Sequence, residues 1–180
     1  SGAFRNVIDG WFYALEQDVL ADPSVDPDDA PGLLQRTDAL MEARLTSISK
    51  TAPAFSAVLR TYRQALANND GMLAEGLISW LAGQPNVAAS VKRAAGIKGD
   101  LDHFGASNFL VGLLMILRDS GFAGLVLVLD EVETLQRMRT DTREKGLNAL
   151  RQWIDEIDAG RYPGLYLIVT GTPAFFDGPQ

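Results

Sequence analysis

Apolar residues recur at three- and four-residue spacing through the first two-thirds of the chain. Phe4, Val7, Ile8, Trp11, Phe12, Leu15 and Val19 fall on one face of a helix. The stretch from Asp22 to Gly32 holds three prolines and clustered Asp, and predicts a polar loop. A second helix is predicted from about Leu33 to Ser49. A third follows Pro53, with Phe55, Val58, Leu59, Tyr62 and Leu66 on one face. Asn68-Asn69-Asp70-Gly71 reads as a turn. The next short helix carries Met72, Leu73, Leu77, Ile78, Trp80 and Leu81, and one more is expected between Val87 and Ala95.

After Gly96 the pattern changes. Ser107 to Ser120 predicts a strongly apolar helix that closes at Gly121. Leu125-Val126-Leu127-Val128-Leu129 is a continuous apolar run, expected for a strand covered on both faces. Arg143 to Asp158 is amphipathic, with Leu147, Leu150, Trp153, Ile154 and Ile157 expected inward. Leu165-Tyr166-Leu167-Ile168-Val169 is a second apolar strand. Strand, helix, strand is a βαβ unit, so the two strands should be parallel neighbours. The fold class expected is α/β: mostly helical, with a small parallel sheet.

Chemistry concentrates where the strands end. The first strand runs into Asp130-Glu131. Open α/β sheets place ligands at the carboxyl ends of their strands. There Asp130 can hold Mg²⁺ through its water shell, since Mg²⁺ keeps several waters. Glu131 can orient and deprotonate the water that attacks a γ-phosphate. This is the Walker B pattern. The competing reading makes Asp130 a cap and Glu131 a solvated surface acid. The second strand ends in Thr170-Gly171-Thr172-Pro173. A polar residue at the tip of the neighbouring strand is where ATPases of this class place sensor 1. Thr170 is the first candidate and Thr172 the second, against a plain strand-end turn.

No G-x-x-x-x-G-K-S/T loop occurs in the sequence. That loop supplies backbone N–H groups and a lysine to phosphates. The chain is therefore expected to be an internal piece of a longer ATPase, carrying the metal-and-water half of a nucleotide site.

The run from Ser120 to Glu133 resembles the Walker B region of the ATP-binding proteins of BREX-type bacterial phage-defence systems. So do Arg143-Glu144-Lys145, Leu150-Arg151, Ile154-Asp155 and Thr170-Gly171-Thr172-Pro173 with Phe175-Phe176, and upstream Ile78 to Gly83. The likeness covers roughly residues 55–180. That family is similar to AAA+ and STAND ATPases. The resemblance implies a helical region over 1–100 and a partial P-loop core over 101–180. It implies Walker B roles for Asp130 and Glu131, ATP and Mg²⁺ as cofactors of the full-length protein, and other defence proteins as partners. ATPase activity would belong to that full-length protein, with this piece inactive by itself. The alternative is a non-catalytic interaction scaffold on a degenerate P-loop core.

Charge and composition narrow the partners. With 23 acidic against 16 basic residues the net charge is −7. Surfaces that neutralise nucleic-acid phosphates are basic, so direct nucleic-acid binding is not expected. No apolar run approaches the roughly 20 residues of a membrane helix. Cysteine is absent, which excludes thiolate chemistry and fits a cytoplasmic protein. His103, the single histidine, has no evident second metal ligand. The Asp22 to Asp29 cluster lacks the Gly and the final Glu of an EF-hand. Arg137, Arg139 and Arg143 read as solvated helix-start charges rather than as an arginine finger. Unpaired sheet edges would leave self-association open.

Overall fold

The computed structural model describes residues 2–101 and 103–177; of His103, Phe104, Ala174 and Asp177 only the backbone is described. The chain divides into two compact units, 1–121 and 122–180.

The first unit is helical. Helices α1 (Gly2–Leu20), α2 (Ala30–Thr51), α3 (Pro53–Ala67), α4 (Gly71–Leu81), α5 (Ala89–Ala94) and α6 (His103–Asp119) follow in order. The 3.6-residue pattern becomes the core. Ile8, Trp11, Leu15, Leu45, Phe55, Val58, Leu59, Leu77, Ile78, Leu114 and Ile116 are all shut off from solvent. In α3 the inward face uses Ala65, whereas Leu66 is exposed.

Helix α2 starts three residues earlier than the polar loop suggests. Asp29 accepts a hydrogen bond from the Gly32 N–H at 3.1 Å and caps the helix. Pro31 falls in the first turn, where its missing N–H costs nothing. Asp70 caps α4 in the same way, through the Leu73 N–H at 3.0 Å.

Polar side chains at the edge of this core pair across helices. The Trp11 indole donates to Asp119 Oδ2 at 2.7 Å, and Arg44 Nε lies 3.3 Å from Asp119 Oδ1. The Tyr62 hydroxyl donates to Asp9 Oδ1 at 2.9 Å. Burial, then the Asp9 hydrogen bond and charge, push the Tyr62 phenol up to about 12. An unfolded tyrosine ionises near pH ~10. The folded state thus keeps its proton longer than the unfolded one. The associated stability is complete below the unfolded value and is lost as pH rises through the folded one. Urea titrations of the wild type should show an alkaline loss of stability between those values. Tyr62→Phe, with nothing to ionise, should flatten that limb; an unchanged limb would exclude Tyr62 as its source.

The second unit holds β1 (Leu125–Leu129), a 3-10 helix (Val132–Arg137), α7 (Thr140–Asp158), β2 (Leu165–Val169) and a short α8 (Pro173–Asp177). Strands β1 and β2 pair in parallel, from Leu125 opposite Leu165 to Leu129 opposite Val169. Among the described residues the sheet has these two strands.

The sheet is not covered on both faces within this chain. Val126, Val128, Tyr166 and Ile168 alternate along one face and are 59%, 53%, 66% and 38% exposed. Leu125, Leu127, Leu129, Leu167 and Val169 are half-buried, and Leu165 is buried. Nor does the apolar face of α7 become core. Leu150, Trp153 and Ile157 are half-buried, while Leu147 and Ile154 are exposed. A sheet of two five-residue strands offers too little surface to bury a 19-residue helix. Tyr162 is the local anchor: it is buried, its hydroxyl donates to Glu156 Oε2 at 2.8 Å, and its ring lies 6.4 Å from that of Trp153. Among the described residues no helix is long and apolar enough to cross a membrane.

Candidate functional site

The parallel register decides which side chains meet. Because Leu129 lies opposite Val169, the next residues, Asp130 and Thr170, emerge side by side at the carboxyl ends of the strands. Backbone bonds carry the pairing past the strands. The Thr170 N–H donates to the Leu129 carbonyl at 2.9 Å, and the Val132 N–H donates to the Thr170 carbonyl at 3.1 Å.

Asp130 is exposed, yet its geometry is defined. Its Oδ1 accepts from the Glu131 N–H at 2.9 Å and from the Thr170 hydroxyl. Among the described residues Oδ2 has no hydrogen bond. One oxygen is held by the protein and the other remains available to an outside group.

Glu131 opens the 3-10 helix in a left-handed conformation, φ 55° and ψ 44°. A side chain with a Cβ is disfavoured there, and such strain clusters at functional sites. The conformation turns the chain sharply off β1, with the Glu131 carbonyl accepting from the Thr134 N–H at 3.0 Å. The Glu131 side chain is exposed and makes no hydrogen bond among the described residues.

Thr172 is two residues beyond the strand tip and exposed. Its carbonyl accepts from the Phe175 N–H at 2.9 Å as α8 begins. No hydrogen bond joins it to Asp130. The structure thus brings Asp130, Glu131 and Thr170 together and sets Thr172 apart.

Arg137, Arg139, Arg143 and Lys145 form no ion pair among the described residues. The side chain of His103 lies outside the described residues. No group of three or more His, Asp or Glu side chains among the described residues could cage a metal ion. A water-shelled Mg²⁺ needs no such cage, since one or two carboxylates and the substrate phosphates suffice. The outward Oδ2 of Asp130 fits that requirement.

One residue at the tip was not singled out from sequence. Glu133 Oε2 is buried and has no hydrogen-bond partner. The available signal was the repeated acid in Asp130-Glu131-Val132-Glu133.

Two parallel strands joined by a helix, with acid and hydroxyl side chains at their carboxyl ends, define an α/β protein with a ligand-site geometry. More particularly, the chain belongs to the family of BREX system ATP-binding proteins BrxC/D, whose family model matches residues 1–180. The match extends over the whole helical region and is longer than the 55–180 expected from the sequence resemblance. Searches of curated proteins and of solved structures gave no match.

Proposed function

We propose that the strand-tip cluster is the metal-and-water half of an ATP-hydrolysing site that serves phage defence. The observation that carries this reading is the parallel register that sets exposed Asp130 beside Thr170, with Oδ1 fixed by two internal donors and Oδ2 without a hydrogen bond among the described residues.

On this reading Asp130 is the residue that would hold Mg²⁺, through the metal's water shell. Mg²⁺, when bound, would supply charge neutralisation to the phosphates. Glu131, without a hydrogen bond among the described residues, takes the proton of the attacking water. The Thr170 hydroxyl holds Asp130 in place and presents its lone pairs to the same water. Thr172, two residues past the strand tip, is the second candidate for contact with a phosphate oxygen. Residues outside this sequence supply the phosphate-gripping loop. Hydrolysis would then drive conformational work on a partner protein or on DNA, inside the cell.

The scaffold reading draws on the apolar sheet face of Val126, Val128, Tyr166 and Ile168. A bare face of this kind fits association with another defence protein or a second copy.

One observation tests the phosphate half and a second separates the readings. By calorimetry the 180-residue chain should bind Mg-ATP weakly or not at all, since its sequence holds no G-x-x-x-x-G-K-S/T loop to grip phosphate. Micromolar binding by this piece would reveal a phosphate site elsewhere in it. The coding sequence upstream of Ser1 should encode a strand followed by G-x-x-x-x-G-K-S/T. Its absence favours the scaffold.

A further inference from the structure

Glu133 sits in the 3-10 helix that leaves the tip of β1. Its Oε2 is enclosed and has no donor. An enclosed carboxylate oxygen without a hydrogen bond is costly, and native structures rarely keep one without a purpose. The atom lies against Gly171. A Cβ at that position would be 3.1 Å from Glu133 Oε2, 3.0 Å from Val132 Cγ2 and 3.2 Å from Phe176 Cε2. Glycine is what lets the carboxylate approach the backbone so closely. The N–H groups of Gly171 and Thr172 make no hydrogen bond among the described residues. An unmet acceptor therefore lies against a segment with two unmet donors.

We infer that Glu133 is a positioning residue for hydrolysis: in the nucleotide-bound arrangement its carboxylate accepts from the Gly171 or Thr172 N–H. This rests on the ATP-site reading of Asp130 and Glu131. The Val132 N–H already ties the 3-10 helix to the Thr170 carbonyl. Beyond Thr170 no other hydrogen bond joins that segment to the 3-10 helix among the described residues. A second tie, at the Gly171 or Thr172 N–H, fixes its orientation. The hydroxyls of Thr170 and Thr172 are then held in line with Asp130 and Glu131, as the groups behind a metal site hold its ligands. The acid and hydroxyl halves of the site would thereby respond to nucleotide together.

The alternative is that Glu133 only fills space. Replacing a donor-less buried acceptor by an apolar side chain of similar size is then neutral or stabilising, and turnover does not change. The test uses Glu133→Leu, Glu133→Gln and Gly171→Ala in the full-length protein, with Glu131→Gln as the control for the site itself. The expected result for Glu133→Leu is an unchanged or raised melting temperature, an ATP KM within about twofold of wild type and a kcat lower by roughly tenfold or more. Gly171→Ala should lower kcat in the same way. Glu133→Gln keeps a carbonyl acceptor and should recover most of the rate. A wild-type kcat in Glu133→Leu, with Glu131→Gln impaired, overturns this inference and leaves the ATP site standing. Wild-type rates in both overturn the two together. Hydrogen exchange of the wild type gives a readout independent of any variant. A non-hydrolysable ATP analogue with Mg²⁺ should slow exchange at the Gly171 and Thr172 amides, and unchanged exchange there refutes the latch.

Discussion

In the full-length protein, Glu131→Gln is expected to bind Mg-ATP as the wild type does and to hydrolyse it about 10²-fold more slowly, the scale of a lost general base. Glutamine keeps the size of the side chain and most of its hydrogen bonding. It loses only the ability to take a proton. The Glu131 side chain makes no hydrogen bond among the described residues, so the change breaks none of those bonds. The variant should accumulate with ATP bound. Asp130→Asn should behave differently. The amide oxygen can still accept from the Glu131 N–H and the Thr170 hydroxyl, which preserves the fold of the tip. The amide nitrogen then replaces Oδ2, presenting a donor and no charge to the metal's waters. Metal-dependent ATP affinity and turnover should both fall. Comparing ATP affinity with hydrolysis rate for the two variants separates the roles. Unchanged turnover in Glu131→Gln would remove that residue from the mechanism and shift the balance to the scaffold.

What could be read from sequence, and what could not, follows from how local each feature is. Five consecutive apolar residues bounded by glycine and by acids form a strand because nothing else suits so short a run, and a helix of about four turns between two such strands dictates their parallel pairing. The adjacency of Asp130 and Thr170 follows from that register alone. The helical core was equally legible, since α1 buries the predicted Ile8, Trp11, Phe12, Leu15 and Val19.

Features that depend on distant neighbours were not legible. Leu125 to Leu129 reads as buried on both faces, yet Val126 and Val128 are exposed because the described residues bring nothing over that side. Pro31-Gly32 reads as loop, yet a single side-chain bond from Asp29 recruits both into α2. Glu133 carries the same charge as Glu131 and lies two residues away, so pattern alone assigns it to solvent. The approach of Gly171, 38 residues downstream, brings backbone against its enclosed carboxylate. The left-handed turn at Glu131 is similarly invisible, because glutamate carries no preference for it.

The parallel pairing itself rests on a backbone contact at the opposite end of the strands. The Leu125 N–H donates to the Gly164 carbonyl at 2.8 Å, the first bond of the ladder. Gly164 turns the chain into β2 with φ 87°. Gly124 lies so close to that carbonyl that a Cβ there would collide with its oxygen, and would sit 3.0 Å from the carbonyl carbon. The obstacle is backbone rather than a flexible side chain, so no rotamer change can relieve it. Gly124→Ala must therefore push the entry of β1 away from β2 and break the first ladder bond. With strands of only five residues, few bonds remain to hold the register. The expected cost is upwards of about 3 kcal/mol, at the severe end for a single added methyl group. Gly10→Ala is the control. Gly10 lies in α1 with open space around its Cβ position, so alanine there should stabilise by about 0.5–1 kcal/mol through helix propensity. Urea denaturation gives the energies. Hydrogen exchange gives the location, since Gly124→Ala should strip protection from the Leu125 and Thr170 amides, whereas Gly10→Ala should not. Protection at Thr170 that survives in Gly124→Ala would mean that the strand tips are held independently of the ladder. The pairing of Asp130 with Thr170 would then have to be explained by the tip's own hydrogen bonds.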